Sequence, residues 1–204
     1  MAQIEKEYGN YEEAIALYKS QIEGRPDSYW SDAPRKALME IYMLQGNTKA
    51  YNDELYSMMC AHTGDDRYYL EYKSLFTEDE WKEEWNKLLD HFKDRLPAIN
   101  LWLSIEDRYD IIMDNAEPDN EYVIDAYGKK LYKLYPERCM MVLANAADRQ
   151  AKSSKNRRDY KYIAKTLKKI ATRPGGKELA AELAAKYRAQ YPRRTAMIDE
   201  LKIF

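Results

Sequence analysis

Apolar residues recur along this chain at helical spacing, three and four positions apart, and the pattern predicts an all-α fold. The first segments run Met1–Tyr8 and Tyr11–Glu23. The second carries Ala14, Ile15, Leu17, Tyr18 and Ile22 on one side and stops at Gly24 to Pro26. Ser31 or Asp32 then caps a helix with Pro34 in its first turn, where a missing N–H costs nothing. Leu38, Ile41, Tyr42 and Leu44 continue its face, and a partner follows from Thr48 to about His62. Gly64-Asp65 opens a short helix through Tyr68, Tyr69, Tyr72 and Leu75. Thr77 and Glu80 predict a capping box ahead of a stripe of Trp81, Trp85, Leu88, Leu89 and Phe92.

Pro97 is expected to start the next helix, dense in apolar residues from Ile99 to Ile105. Another runs through Tyr109, Ile111, Ile112 and Met113, ends near Asn115 and breaks at Pro118. Tyr122, Val123, Ala126, Leu131, Leu134 and Tyr135 form the next predicted face. Pro136 begins a helix with Met140, Met141, Leu143, Ala144 and Ala147, and Lys152 to Lys155 reads as a loop. Tyr160, Ile163, Ala164, Leu167 and Ile170 are the inner face of a basic helix, broken at Pro174-Gly175-Gly176. A helix through Leu179, Leu183, Ala184 and Tyr187 and a last one through Met197, Ile198 and Leu201 bring the expectation to about twelve helices in six antiparallel pairs.

Gly9-Asn10 and Gly46-Asn47 each separate two helical segments and lie 37 residues apart, which predicts an internal repeat. Ala14-x3-Tyr18 with Pro26 beyond resembles the second helix and closing proline of a tetratricopeptide repeat. Alanine permits close helix approach, and the tyrosine one turn on fills the space. The second copy is degenerate, with Tyr51 where Ala14 stands. The architecture expected is an α-solenoid of antiparallel hairpins, tetratricopeptide-like over 1–75 and continuing as one array over 76–204. A hairpin of that kind wants about two more turns before Ala2, so the chain reads as a fragment of a longer protein.

A mean hydropathy of −0.79 suits a thin two-layer array. The 19 tyrosines fit it too, each expected to pack its ring and leave its hydroxyl wet. Cys60 and Cys139 read as reduced core thiols. No apolar run reaches membrane-spanning length, no signal peptide opens the chain, and a cytoplasmic protein is expected. Charge is segregated. Residues 1–75 carry 8 basic and 13 acidic groups, 76–150 carry 10 and 17, and 151–204 carry 15 and 5.

A second resemblance rests on the order of segments. The Trp81…Trp85 helix, the tyrosine-leucine helix before Tyr135-Pro136, Arg157-Arg158-Asp159-Tyr160…Ile163-Ala164…Leu167, the Gly175-Gly176 break and Tyr191-Pro192-Arg193-Arg194…Asp199-Glu200-Leu201 are similar to the helical C-terminal part of bacterial SWIM zinc-finger proteins. The finger of that family uses a Cys-x-Cys pair followed by Cys-x-His. This chain has only Cys60-x-His62, so no binding that belongs to the finger carries over.

Candidate chemistry is sparse. Cys60 and His62 are too few ligands for zinc, and His91 and Cys139 are the only other Cys or His residues. Asp107, Asp110 and Asp114, with Glu106, share a predicted helical side and read as a solvated acidic face. Gly175-Gly176-Lys177 lacks the earlier glycine, the following Ser or Thr and the preceding strand of a phosphate loop. Ser153-Ser154-Lys155 reads as a polar tract, and the Trp81–Phe92 stripe as core. No nucleophile stands with a base in a recognised motif, so a non-catalytic chain with no cofactor, metal or small-molecule substrate is expected.

Two surfaces remain. Tyr68, Tyr69 and Tyr72 crowd one short helix and are candidates for contact with a protein or peptide. Arg157, Arg158, Lys161, Lys165, Lys168, Lys169, Arg193 and Arg194 form a candidate basic patch that could neutralise phosphates or offset the acidic residues 1–150. The function expected is a protein-interaction or scaffolding module; the alternative is a nucleic-acid accessory domain using the basic C-terminal helices.

Overall fold

The glycine-asparagine turns set the local architecture. Gly9 (φ 80°) and Gly46 (φ 66°) both take the left-handed conformation that a side chain disfavours. At the first, Gly9 N–H donates to Lys6 C=O and Asn10 N–H to Glu5 C=O (3.1 and 2.8 Å). At the second, Gly46 donates to Met43 and Asn47 to Tyr42 at the same two distances, 3.1 and 2.8 Å. Each turn thus closes one helix with the same paired bonds and releases the chain into the next.

The computed structural model describes residues 1–24 and 29–204. The predicted closing proline, Pro26, lies outside them. Among the described residues there are thirteen α-helices, two short 3-10 segments and no strand. The chain divides into two units, residues 1–102 and 103–204.

In the first unit lie α1 (Ala2–Glu7), α2 (Tyr11–Glu23), α3 (Asp32–Leu44), α4 (Thr48–Ala61), α5 (Asp66–Lys73) and α6 (Glu78–His91), and α7 (Asn100–Ile105) begins there. Helices α1 to α4 each pack on the next. Three-residue connections force packed neighbours to double back, so α1/α2 and α3/α4 are hairpins. Ala14, Tyr18 and Ile22 of α2 meet Leu38, Ile41 and Tyr42 of α3 in one apolar cluster. Leu44 points to solvent instead. The capping box at Thr77 forms, with Thr77 N–H donating to Glu80 Oε2 (2.9 Å) and Glu80 N–H to Thr77 Oγ1 (3.4 Å). Pro97 does not begin a helix: it sits in the 3-10 segment Lys93–Ile99, and α7 starts at Asn100.

Tyr69 of α5 packs against Trp81 and Trp85 of α6 and against Trp102. These rings form an aromatic core within the first unit.

The second unit holds α8 (Tyr109–Ala116), α9 (Glu121–Leu134), α10 (Pro136–Ser153), α11 (Arg157–Ala171), α12 (Gly176–Gln190) and α13 (Thr195–Glu200). Each of α8 to α11 packs on the next, and α11 also carries α12 and α13. All five predicted inner residues of α11 are buried. The face of α9 differs from the expectation. Val123, Ile124, Gly128 and Leu131 point inward, while Tyr122, Ala126 and Leu134 face solvent. Between α11 and α12, Gly175 has φ 69°. Gly176 packs so closely on α11 that a Cβ there would lie 1.9 Å from the Ile170 carbonyl oxygen. The two glycines thus serve a tight helix-to-helix turn. No helix of the described residues is long and apolar enough to cross a membrane.

Candidate functional site

The tyrosine helix is not the partner surface expected of it. Tyr69 is 0 % exposed; its ring stacks on Trp102 (5.0 Å, 17°) and meets Trp81 and Trp85 edge-on. Tyr72 is also buried, and its hydroxyl donates to Glu84 Oε1 (2.9 Å). Only Tyr68 is half-exposed, with its ring 5.8 Å from that of His62. The three tyrosines therefore do not share one wet face. Two anchor α5: Tyr69 on the rings of Trp81, Trp85 and Trp102, and Tyr72 on those of Tyr56 and Phe76.

The other chemical candidates fall to ordinary roles. His62 Nε2 lies 2.9 Å from Asp32 Oδ1. No group of three or more His, Cys, Asp or Glu among the described residues is placed to hold a metal. Asp107 precedes α8 rather than sharing its face with Asp110 and Asp114. All three are ion-paired, to Lys130, Arg108 and Arg138 in turn. The Arg108 guanidinium holds the Asp110 carboxyl below its ordinary value, the opposite of what a general acid needs.

The basic residues separate into two groups. One is spent on packing. Lys169 reaches Asp125 of α9 (2.6 Å), and Arg157 reaches Glu200 of α13 (2.7 Å). Arg194 donates to the Ala151 carbonyl (2.5 Å) and lies over the Tyr191 ring (4.1 Å). The other group is free. Arg158, Lys161, Lys165 and Lys168 are exposed on one side of α11, and Arg193 is exposed in the turn before α13. No ion pair is formed by these five among the described residues. Positions 158, 161, 165 and 168 follow the three- and four-residue spacing that keeps side chains in one row, spanning about 15 Å of helix. Lys161, Lys165 and Lys168 also border a depression of about 400 Å³, closed on its other side by Asp199, Glu200 and Ile203.

A buried carboxylate in this unit was not legible from residue spacing. Glu121, at the start of α9, is 1 % exposed. It accepts from Arg149 Nη2 (3.1 Å), Gln150 Nε2 (2.9 Å) and the Tyr162 hydroxyl (3.4 Å). These contacts join α9, α10 and α11, and satisfy a charge that would otherwise be costly to bury. In the first unit, a second depression gathers residues from three places in the chain: Arg35 on α3, Tyr56, Ser57 and Cys60 on α4, and His91 and Arg95 at and beyond the end of α6. No spacing rule connects these positions.

Comparison with protein-family models, with curated proteins and with solved structures found no match to this chain.

Proposed function

We propose that this chain is a non-catalytic docking module of tetratricopeptide-like helical hairpins, and that it captures an acidic segment of a partner protein on the outer row of α11. The observation that carries this reading is the unpaired set Arg158, Lys161, Lys165 and Lys168 on one exposed helix face, when the inward-facing Lys169 already has its carboxylate. Four cations in a row match acidic side chains repeated along a partner. The adjoining depression supplies apolar surface from Ala164 and Ile203, which suits a peptide side chain better than a phosphate backbone. Asp199 and Glu200 on its far edge would repel a continuous run of phosphates. The 37-residue recurrence of identical turns supports the hairpin-repeat reading. The order of segments supports kinship with the helical region of SWIM zinc-finger proteins.

The test is fluorescence anisotropy with a labelled peptide of alternating glutamate and leucine, beside a labelled oligonucleotide of mixed sequence. The wild-type chain is expected to bind the peptide and to lose it when Lys161, Lys165 and Lys168 are changed to Glu. Preferential binding of the oligonucleotide, with affinity falling steeply with salt, would replace the reading by a nucleic-acid one. Peptide affinity unchanged by the triple reversal would remove it.

A further inference from the structure

We propose that the depression between α4 and the end of α6 is a binding site for a small organic oxyanion, a carboxylate or a phosphate ester. Its volume is about 440 Å³, within the range of small-molecule sites. Its polar lining holds the Arg95 guanidinium, the Tyr56 hydroxyl, the Cys60 thiol and the His91 imidazole, beside Arg35, which is paired with Glu54 (2.6 Å), and Ser57, whose hydroxyl donates to the Asp53 carbonyl (3.0 Å).

Arg95 is the centre of the proposal. The backbone leaves its helical course at this residue (φ −143°, ψ 35°). Its guanidinium lies over the Phe92 ring at 4.6 Å. A ring against the guanidinium plane fixes its orientation while leaving the edge N–H groups free to form a fork with an oxyanion. One of those N–H groups reaches His91 Nε2 at 3.4 Å, and Arg95 forms no ion pair among the described residues. The Tyr56 phenol is pushed up to about 12, chiefly by burial and also by the neighbouring Cys60, and so remains a neutral donor.

The carboxylates near the site are already engaged. Glu54 takes Arg35 (2.6 Å), with both side chains largely buried. Glu84 accepts the Tyr72 hydroxyl (2.9 Å) and pairs with Lys87 (3.0 Å). The charge of Arg95 is left without a counterpart. An anion entering here would meet a fixed cation and the Tyr56 hydroxyl, while Glu54 and Glu84 already hold partners of their own. The sequence, with no fingerprint for a ligand, led to no such expectation.

Cys60 makes the site directly readable, since the only other cysteine, Cys139, is fully buried in the other unit. The experiment follows alkylation of Cys60 by N-ethylmaleimide, mapped by peptide mass, with inorganic phosphate, succinate or sodium chloride added at equal ionic strength. Calorimetric titration of the same three salts reads binding independently of the thiol. Phosphate or succinate is expected to slow labelling and to give a saturable heat, while chloride does neither. Arg95→Gln should weaken the effective anion about tenfold or more, the loss expected for one charge-assisted hydrogen bond. Arg95→Lys should recover part of it. A response to phosphate alone assigns an ester, and to succinate alone a carboxylate. No saturable heat with either anion, equal protection by chloride, or full affinity in Arg95→Gln would each overturn the proposal.

Discussion

Replacing Tyr69 by Ala tests the aromatic core of the first unit and, with it, the reassignment of the tyrosine helix. The ring is completely buried, stacked on Trp102 and flanked edge-on by Trp81 and Trp85. Truncating a buried aromatic residue to Ala costs about 3–5 kcal/mol through lost transfer energy and the cavity left behind. Such a loss is a large share of the roughly 5–15 kcal/mol that holds a domain folded. It would lower the melting temperature of a unit this size by well over 10 °C, at about 4–8 °C per kcal/mol. The companion variant, Tyr68→Ala, removes a half-exposed ring one position away and should cost under about 1 kcal/mol. Urea unfolding followed by tryptophan fluorescence measures both, because three of the four tryptophans line the site of substitution. If the two variants unfold at the same urea concentration, Tyr69 is not in a packed core and the description of the first unit is wrong.

Two further outcomes follow from the same geometry. Gly176→Ala should destabilise the second unit by about 1–3 kcal/mol, because its Cβ would meet the α11 backbone and one helix must shift. Gly64→Ala, where a Cβ meets nothing within 4 Å, should stay within about 0.5 kcal/mol in the same urea assay. The second outcome concerns alkali. Burial first, and then a neighbouring carboxylate, pushes the phenols of Tyr51 and Tyr162 up to about 12 from an ordinary 10.0, and raises Tyr72 and Tyr187 still further. The unfolded chain therefore releases these protons first as pH rises, so stability is intact below pH 10.0 and falls between there and about 12. The phenolate absorbance that Tyr51→Phe, Tyr72→Phe, Tyr162→Phe and Tyr187→Phe each remove should appear together with the loss of circular dichroism in that window; its appearance at pH 10.0 in a chain that stays folded would contradict the reasoning.

Helix ends were the most legible part of the sequence, because the residues that stop a helix act locally. The Thr77–Glu80 box and the Gly9 and Gly46 turns need only a few neighbours, and they formed as read. The face of α11 was legible for a related reason: its apolar and charged positions are cleanly separated. The face of α9 was not. Gly128 is buried and carries no side chain to mark the inward side. A Cβ there would approach the Tyr132 ring at 3.2 Å, and that ring in turn carries the Arg173 guanidinium at 3.8 Å. Counting apolar residues placed Tyr122, Ala126 and Leu134 inside instead. The burial of Tyr69 is not legible locally, because its cover comes from Trp102, 33 residues on, while three tyrosines on one short helix suggest exposure. Glu121, Arg149 and Tyr162, like Arg35, Cys60 and Arg95, meet only through tertiary structure.

The abundance of tyrosine was also only half understood from composition. The rings pack as expected, but several hydroxyls are bonded rather than wet. Tyr72 donates to Glu84, Tyr187 to Asp148 and Tyr51 to Glu71, each a carboxylate on a different helix. A chain with a mean hydropathy of −0.79 thus gains apolar burial and an inter-helix hydrogen bond from one residue type.

The charge segregation divides in the same way once each residue is placed. Lys169 and Lys186, which face neighbouring helices, meet Asp125 and Asp148 from the acidic stretch before residue 151. To that extent the basic tail balances the acidic middle within the second unit. Had balance been its whole purpose, each cation would be expected to hold a carboxylate at ion-pair distance, as Lys169 and Lys186 do. The row Arg158, Lys161, Lys165 and Lys168 points the other way, out of the packed layer, and repeats with the helical period. Unpaired like charges in one row repel each other and cost a little stability in the isolated chain. A counter-charge supplied from outside would remove that cost, which is the physical basis of the acidic partner proposed for this row.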